Sequence, residues 1–176
     1  MTQTFIASTT VGSGGAASIG FSSIPATYTD LTLLFSVRTT VANQLLNIRF
    51  NNSATAVYSV IFLGGNGTSV IQNTFPNDST IYNGIVGTRS DNTANTFGNG
   101  QIFIPNYAGS VNKVLSMDST GENQAASSQI RIATGIWANT AAITQIAIIP
   151  ESGNIAEFST AFLYGTLKGS GGATVS

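Results

Sequence analysis

The sequence predicts an all-β protein, an antiparallel β-sandwich of jelly-roll-like type. Three observations predict it. Apolar residues recur with a period of two, clusters of Gly, Asn, Asp and Ser separate the apolar runs, and no long stretch carries the 3.6-residue period of a helix. Many short strands joined by such turns are typical of sandwiches and barrels. The 176 residues suit one domain, which we place at residues 1–167, followed by a Gly/Ser-rich C-terminal tail at residues 168–176.

Four runs show the clearest alternation between two sets of residues. They lie at residues 31–37, 45–50, 130–137 and 158–164. Because successive side chains of a strand point to opposite faces, Leu33 and the residues two positions away are expected to face the core. In the third run, we expect the isoleucines, Ile132 among them, to face the core and Arg131 and Trp137 to lie opposite.

Eight weaker runs predict further strands, because β-branched and aromatic residues dominate them. They lie near residues 3–7, 17–21, 57–63, 69–73, 80–86, 101–104, 111–117 and 143–149. A helix of one or two turns is expected only at residues 138–142.

The dipeptide Ile-Pro occurs three times, at residues 24–25, 104–105 and 149–150. Proline lacks the N–H that a central strand needs, and it pushes the preceding residue into extended geometry. The isoleucine of each pair is therefore expected to be the last buried residue of a strand, and the proline is expected to end that strand where the chain turns. This role is structural, not functional.

The composition excludes several classes of function. With no cysteine, disulfides and thiolate metal sites are excluded, and with no histidine the commonest general base and metal ligand are missing. Six Lys and Arg, balanced by seven acids, form no basic stripe, so we expect no nucleic-acid partner. No apolar stretch approaches the ~20 residues of a membrane-spanning helix, and no secretory signal opens the chain, so we expect no membrane partner. We predict neither a metal nor another cofactor.

The seven acids contain no convincing catalytic pair. Asp118 and Glu122 are close in sequence, but they lie in a polar segment that we interpret as a solvated loop. Glycoside hydrolysis needs two carboxylates flanking a sugar, so two acids facing each other across a groove would favour an enzyme instead. We predict that the protein is not an enzyme and has no catalytic residue.

Four residues are candidates for a protein interface: Arg49, Arg131, Trp137 and Lys168. The two arginines stand alone in uncharged runs and are expected to point away from the core, and arginine is enriched at interfaces. Lys168 begins the flexible tail, which is expected to order on contact with a neighbour. Trp137 and the tyrosines could stack on sugars if exposed, whereas aromatic residues of a sandwich belong more often to a core or an interface.

Three stretches resemble small β-rich virion proteins of tailed bacteriophages. They are "SIPATYTDLTLLFSVRTT" with the following "LLNIRFNN", "IFIPNYAGSVNKVLSMDST", and "GIWANTAAITQIAIIPESGNIAEFSTAFLYGTLKG". Residues 68–99 carry none of the resemblance. The group shares no catalytic motif, so no active-site residue is carried over.

The resemblance implies a non-enzymatic structural protein of a phage virion, made in the host cytoplasm and located at the particle surface. The leading interpretation is a capsid decoration (cement) protein, a homo-oligomer that stabilises neighbouring capsid subunits. Its partners would be the major capsid protein or other virion proteins. The alternative is a tail or fibre module that binds a host-surface glycan.

Overall fold

The computed structural model describes residues 2–42, 45–123 and 127–167, and these residues form twelve β-strands and no α-helix. The strands are β1 (Gln3–Thr10), β2 (Ile19–Phe21), β3 (Asp30–Val37), β4 (Leu46–Phe50), β5 (Tyr58–Gly65), β6 (Val70–Asp78), β7 (Ile81–Ile85), β8 (Gly98–Ile104), β9 (Lys113–Asn123), β10 (Ser127–Trp137), β11 (Ile146–Pro150) and β12 (Thr160–Thr166). Each strand overlaps one predicted run, so the all-β prediction is confirmed. The short helix expected at residues 138–142 is wrong. There the Asn139 side-chain oxygen accepts a hydrogen bond from the Ala141 N–H at 2.8 Å, which favours a turn.

Two antiparallel sheets make up the fold. The large sheet has eight strands in the order β1-β12-β3-β8-β9-β10-β5-β6, and the small sheet has four in the order β2-β11-β4-β7. Strand β7 of the small sheet packs against β5, β9 and β10 of the large sheet. The buried apolar residues of both sheets form one hydrophobic cluster. The antiparallel sandwich is therefore confirmed, and its jelly-roll-like character stays a prediction.

Three aromatic rings join the two sheets at the centre of this cluster. Trp137 of β10 lies 5.5 Å from Phe50 of β4 and 6.2 Å from Tyr58 of β5, measured between ring centroids. All three are essentially buried. The Tyr58 hydroxyl accepts a hydrogen bond from the Phe50 N–H at 3.0 Å and lies 3.1 Å from the Phe50 carbonyl, to which it donates. Burial raises the pKa of this hydroxyl, which keeps it protonated and able to donate.

The structure confirms most of the positions expected from the sequence. Leu33 and its alternate neighbours in β3 are buried. At residues 104–105 the buried Ile104 ends β8, as predicted. At residues 149–150 the prediction is wrong in detail, because the buried Pro150 is itself the last residue of β11 and pairs with Leu46, whereas Ile149 is half-buried. The pair at residues 24–25 instead lies in the connection from β2 to β3, where Ile24 is buried and its N–H donates to the Thr144 carbonyl at 3.0 Å.

The predicted orientation of β10 is wrong. Ile132 is 63% exposed, whereas Arg131 and Trp137 are 4% and 1% exposed. Because side chains alternate strictly along a strand, placing one of them in the core places all of the others. Trp137 lies opposite Tyr58 in register, and the rings of both residues pack between the two sheets. This pairing turns the isoleucines of β10 to the outer face.

We expect a matched pair of lysine substitutions to show this orientation. Leu33→Lys should prevent folding, because an unpaired buried charge costs several kcal/mol. Ile132→Lys should keep cooperative unfolding, since its side chain is mostly exposed and lies opposite Asp118 in register. Far-UV circular dichroism and thermal melts would measure both. An unfolded Ile132→Lys variant together with a folded Leu33→Lys variant would contradict the observed faces.

Candidate interaction surface on the large sheet

One half of the outer face of the large sheet is rich in exposed apolar side chains, and we call it the apolar half. It consists of six branched aliphatic side chains, each between 42% and 63% exposed: Ile61, Leu63, Val114, Ile130, Ile132 and Ile136. They lie on the adjacent strands β9, β10 and β5. Ile132 is directly opposite Leu63, and Ile136 is directly opposite Val114. Such cross-strand neighbours stand about 5 Å apart, so the side chains of these two pairs lie side by side. The exposed Thr134 lies between Ile132 and Ile136 on the same face.

An exposed area of this kind indicates a contact surface. Single exposed apolar residues are common on soluble proteins, whereas a contiguous patch marks a site of interaction. A shallow hollow of about 250 Å³ opens within the apolar half, between Ile61 and Ile136. Among the described residues, the nearest acid in register is Asp118, opposite Ile132 at the border of the patch.

A polar groove of about 680 Å³ occupies the other half of the same face. It crosses strands β1, β12, β3, β8 and β9. Its lining consists of Gln3, Asp30, Thr32, Gln101, Phe103, Ser116, Asp118 and Thr166. Two amides, two carboxylates, three hydroxyls and one aromatic ring thus converge on one concavity.

Some of the groove side chains are held by hydrogen bonds, and others have no partner. The Gln3 Nε2 donates to the Thr32 Oγ1 at 3.4 Å, and the Asp30 Oδ1 accepts from the Asn106 N–H at 2.9 Å. The side chains of Gln101, Ser116 and Asp118 have no hydrogen-bond partner elsewhere in the described ranges. These three polar groups are therefore available to a ligand.

The carboxylates of the groove stand too far apart for paired chemistry. Asp118 lies opposite Gln101, which lies opposite Leu34, and Asp30 is four residues from Leu34 along β3. Two strand spacings and four residues of rise place the Cα atoms of Asp30 and Asp118 about 16 Å apart. Paired glycosidase carboxyls stand about 5–9.5 Å apart. No cluster of three or more Asp and Glu that could hold a metal ion occurs in the part of the chain that is described.

Asp118 and Glu122 lie on strand β9 and not in a loop, so that part of the prediction is wrong. Four residues of strand separate them by about 13 Å. The two oxygens of the Glu122 carboxylate accept hydrogen bonds from the Thr93 N–H at 3.1 Å and the Thr93 hydroxyl at 2.9 Å. Glu122 therefore holds the connection between β7 and β8, and its role is structural.

Arg38 also holds this connection in place, although no sequence pattern predicts this role. Its guanidinium lies on the β3 side of the connection and donates to four backbone carbonyls at 2.8–3.2 Å: those of Ser90, Asn92, Thr93 and Thr96. Arginine suits this position because its planar group presents five donors at once. Together, the side chains of Arg38 and Glu122 attach this connection to the ends of β3 and β9.

Arg131, predicted to point away from the core, is buried between the sheets. Its guanidinium lies 4.0 Å above the Phe62 ring and donates to the Asn83 carbonyl at 2.7 Å. It also contacts the Asn83 side-chain oxygen. Desolvation lowers the pKa of Arg131 to about 10, so the group stays charged at neutral pH. A planar cation can be buried here because an aromatic face and carbonyl oxygens replace its water.

The other three interface candidates fall into different environments. Trp137 is buried among Phe50 and Tyr58, so it offers no exposed face to a partner or a sugar. Arg49 is half-buried on β4, and its Nε atom is buried. Lys168 and the tail at residues 168–176 lie outside the described residues. None of the described candidates lines the groove or the apolar half.

Comparisons with known proteins found no match: no family model, no curated protein and no solved structure is similar to this chain. Among the described residues, no helix is long and apolar enough to cross a membrane. A functional proposal must therefore come from the outer face of the large sheet and from the sequence resemblance.

Substitution of Arg131 should affect stability, because the side chain belongs to the core. We expect Arg131→Ala to lower the free energy of unfolding by about 2–4 kcal/mol, since it leaves a cavity beside Phe62 and unpaired oxygens on Asn83. Arg131→Met fills the space without a charge and should lose less, because apolar replacements of buried ions are often tolerated. Urea denaturation measures both. Equal midpoints for wild type and Arg131→Ala would show that this guanidinium is not part of the core.

Proposed function

We propose that this chain is a non-enzymatic structural subunit of a phage virion, a capsid decoration protein that associates as a homo-oligomer. The observation that supports this proposal is the apolar half. Six exposed aliphatic side chains lie on three adjacent strands of one sheet. Contact with a second copy of the chain removes this area from water.

The dimensions of the surface suit a stable protein contact. The three strands β9, β10 and β5, at about 4.8 Å spacing and about 30 Å in length, give the apolar half a projected area of roughly 430 Å². Side chains that rise above this plane increase the accessible area further. Stable interfaces bury about 800 Å² on each partner. The apolar half therefore supplies about half of the area that such a contact needs, and its bordering turns and β6 lie next to it to supply the remainder.

The charge of the chain also favours association. Charged residues make up 7% of the sequence, and the net charge is −1. Two copies therefore repel each other weakly, and proteins near zero net charge associate readily. The spacing of Asp30 and Asp118 further supports a role without hydrolysis, because the two carboxylates cannot flank one glycosidic bond.

The decoration role rests on the kind of contact that the surface offers. The resemblance supports a head and a tail protein equally, because its motifs do not distinguish them. A protein that stabilises neighbouring capsid subunits binds through broad protein surfaces. The apolar half supports assembly through such surfaces, and we therefore propose a location on the head.

A charge within the apolar half should dissociate the oligomer. Ile132→Lys loses the burial of one isoleucine and brings an ammonium group into the contact, so the dissociation constant should rise at least about 100-fold. Val111→Lys is the matched control, because Val111 is similarly exposed at 49% but precedes β9, outside the apolar half. Sedimentation velocity across a concentration series measures the association of all three proteins.

Binding to the particle is measured separately, by co-sedimentation with bare capsids of the phage that carries this sequence. We expect wild type and Val111→Lys to decorate capsids and Ile132→Lys to bind weakly. A wild-type chain that stays monomeric and leaves capsids bare would refute the decoration role. Unchanged association of Ile132→Lys would refute the assignment of the apolar half.

A further inference from the structure

We propose that the polar groove binds a neutral oligosaccharide. This is a second function, located beside the apolar half, with which the groove shares strand β9. The groove lies on the outer face, crosses five strands and measures about 680 Å³. Ligand sites commonly have volumes of about 300–1,000 Å³ with a few placed polar groups.

The lining matches the hydrogen-bonding pattern of a sugar chain. Each sugar hydroxyl both donates and accepts. Carboxylates such as Asp118 only accept, amides such as Gln101 do both, and the hydroxyls of Ser116 and Thr32 do both. The aromatic ring of Phe103, which is 39% exposed, supplies a flat apolar surface for the C–H face of a pyranose. In register, Gln101 stands opposite Asp118 and Phe103 opposite Ser116, so these groups form one compact platform.

The platform is available and rigid. The side chains of Gln101, Ser116 and Asp118 have no hydrogen-bond partner in the described parts of the chain. All three project from the paired strands β8 and β9. A ligand that binds them displaces water without breaking an internal contact, and the backbone beneath it needs no reordering. Preorganisation of this kind favours binding.

The charge of the groove selects against anionic ligands. Two carboxylates, Asp30 and Asp118, lie in the lining, and no cationic side chain does. Phosphate, sulfate and carboxylate groups would be repelled there, which excludes nucleic acids and acidic polysaccharides as occupants. A neutral chain of hydroxyl groups has no such penalty.

A peptide fits the groove less well than a glycan does. Peptides that bind β-sheets usually add to a free edge, where unpaired backbone groups are available. The floor of the groove consists of strands paired on both sides, so their backbone groups already bond to one another. Only side chains are offered. Because the groove spans five strands, or about 19 Å at the usual spacing, it accommodates several sugar units.

Binding can be tested with neutral hexasaccharides of different linkage: maltohexaose, cellohexaose, mannohexaose and chitohexaose. A sulfated hexasaccharide is the anionic comparison. Isothermal titration calorimetry at up to millimolar concentrations measures wild type and two groove variants, Gln101→Ala and Phe103→Ala. The matched controls are Gln72→Ala on β6 and Phe162→Ala, whose ring is 38% exposed on the same face outside the groove lining.

We expect wild type and both controls to bind at least one neutral hexasaccharide, and each groove variant to bind it about tenfold more weakly. Two-dimensional NMR of the Phe103 ring should show a shift on binding. The proposal fails if no neutral probe binds, if only the sulfated probe binds, or if groove and control variants lose affinity equally. None of these failures affects the decoration role, because self-association is measured without sugar and depends on other residues. Specific binding of a neutral probe together with absent capsid binding would favour the tail or fibre alternative.

Discussion

The contact of Trp137 with Tyr58 and Phe50 determines how the rest of the molecule is arranged. It joins three strands from both sheets, and its rings lie 5.5–6.2 Å apart. Aromatic side chains of this size bury more area than any aliphatic residue, so their positions dominate the packing. Once Trp137 faces inward, strict alternation places Arg131 inside and Ile132 outside. The apolar half is a direct consequence of this core contact.

The strands could be predicted from the sequence, but their faces and order could not all be. Period-two alternation locates all twelve strands, because it reflects which side chains are buried at each residue. It fails for β10, where both faces are apolar: isoleucines alternate with Ala133 and Trp137. The choice between the faces depends on Tyr58 and Phe50, which are distant in sequence. The order of the large sheet likewise depends on pairings such as β12 with β1 and β3, which local patterns do not contain.

The candidate sites were less predictable than the fold, for the same reason. The groove brings together Gln3, Asp30, Gln101, Asp118 and Thr166 from five strands. No short motif links these positions, so only the sheet order reveals them. Of the residues predicted for an interface, Arg131 and Trp137 are buried, whereas Ile132 and Ile136 between them are exposed.

The orientation of β10 reduces the stability of an isolated subunit, and assembly would recover part of that stability. Burying the Arg131 guanidinium requires its desolvation, and three isoleucines of the same strand remain in contact with water. Complete burial of such a side chain contributes about 1.5–3 kcal/mol, so much of this stabilisation is not realised in the monomer. A second copy packed on the apolar half would provide it. The groove shares β9 with this surface, so assembly through the apolar half leaves the groove residues of β1, β12, β3 and β8 accessible to a ligand, whereas Ser116 and Asp118 of β9 border the contact.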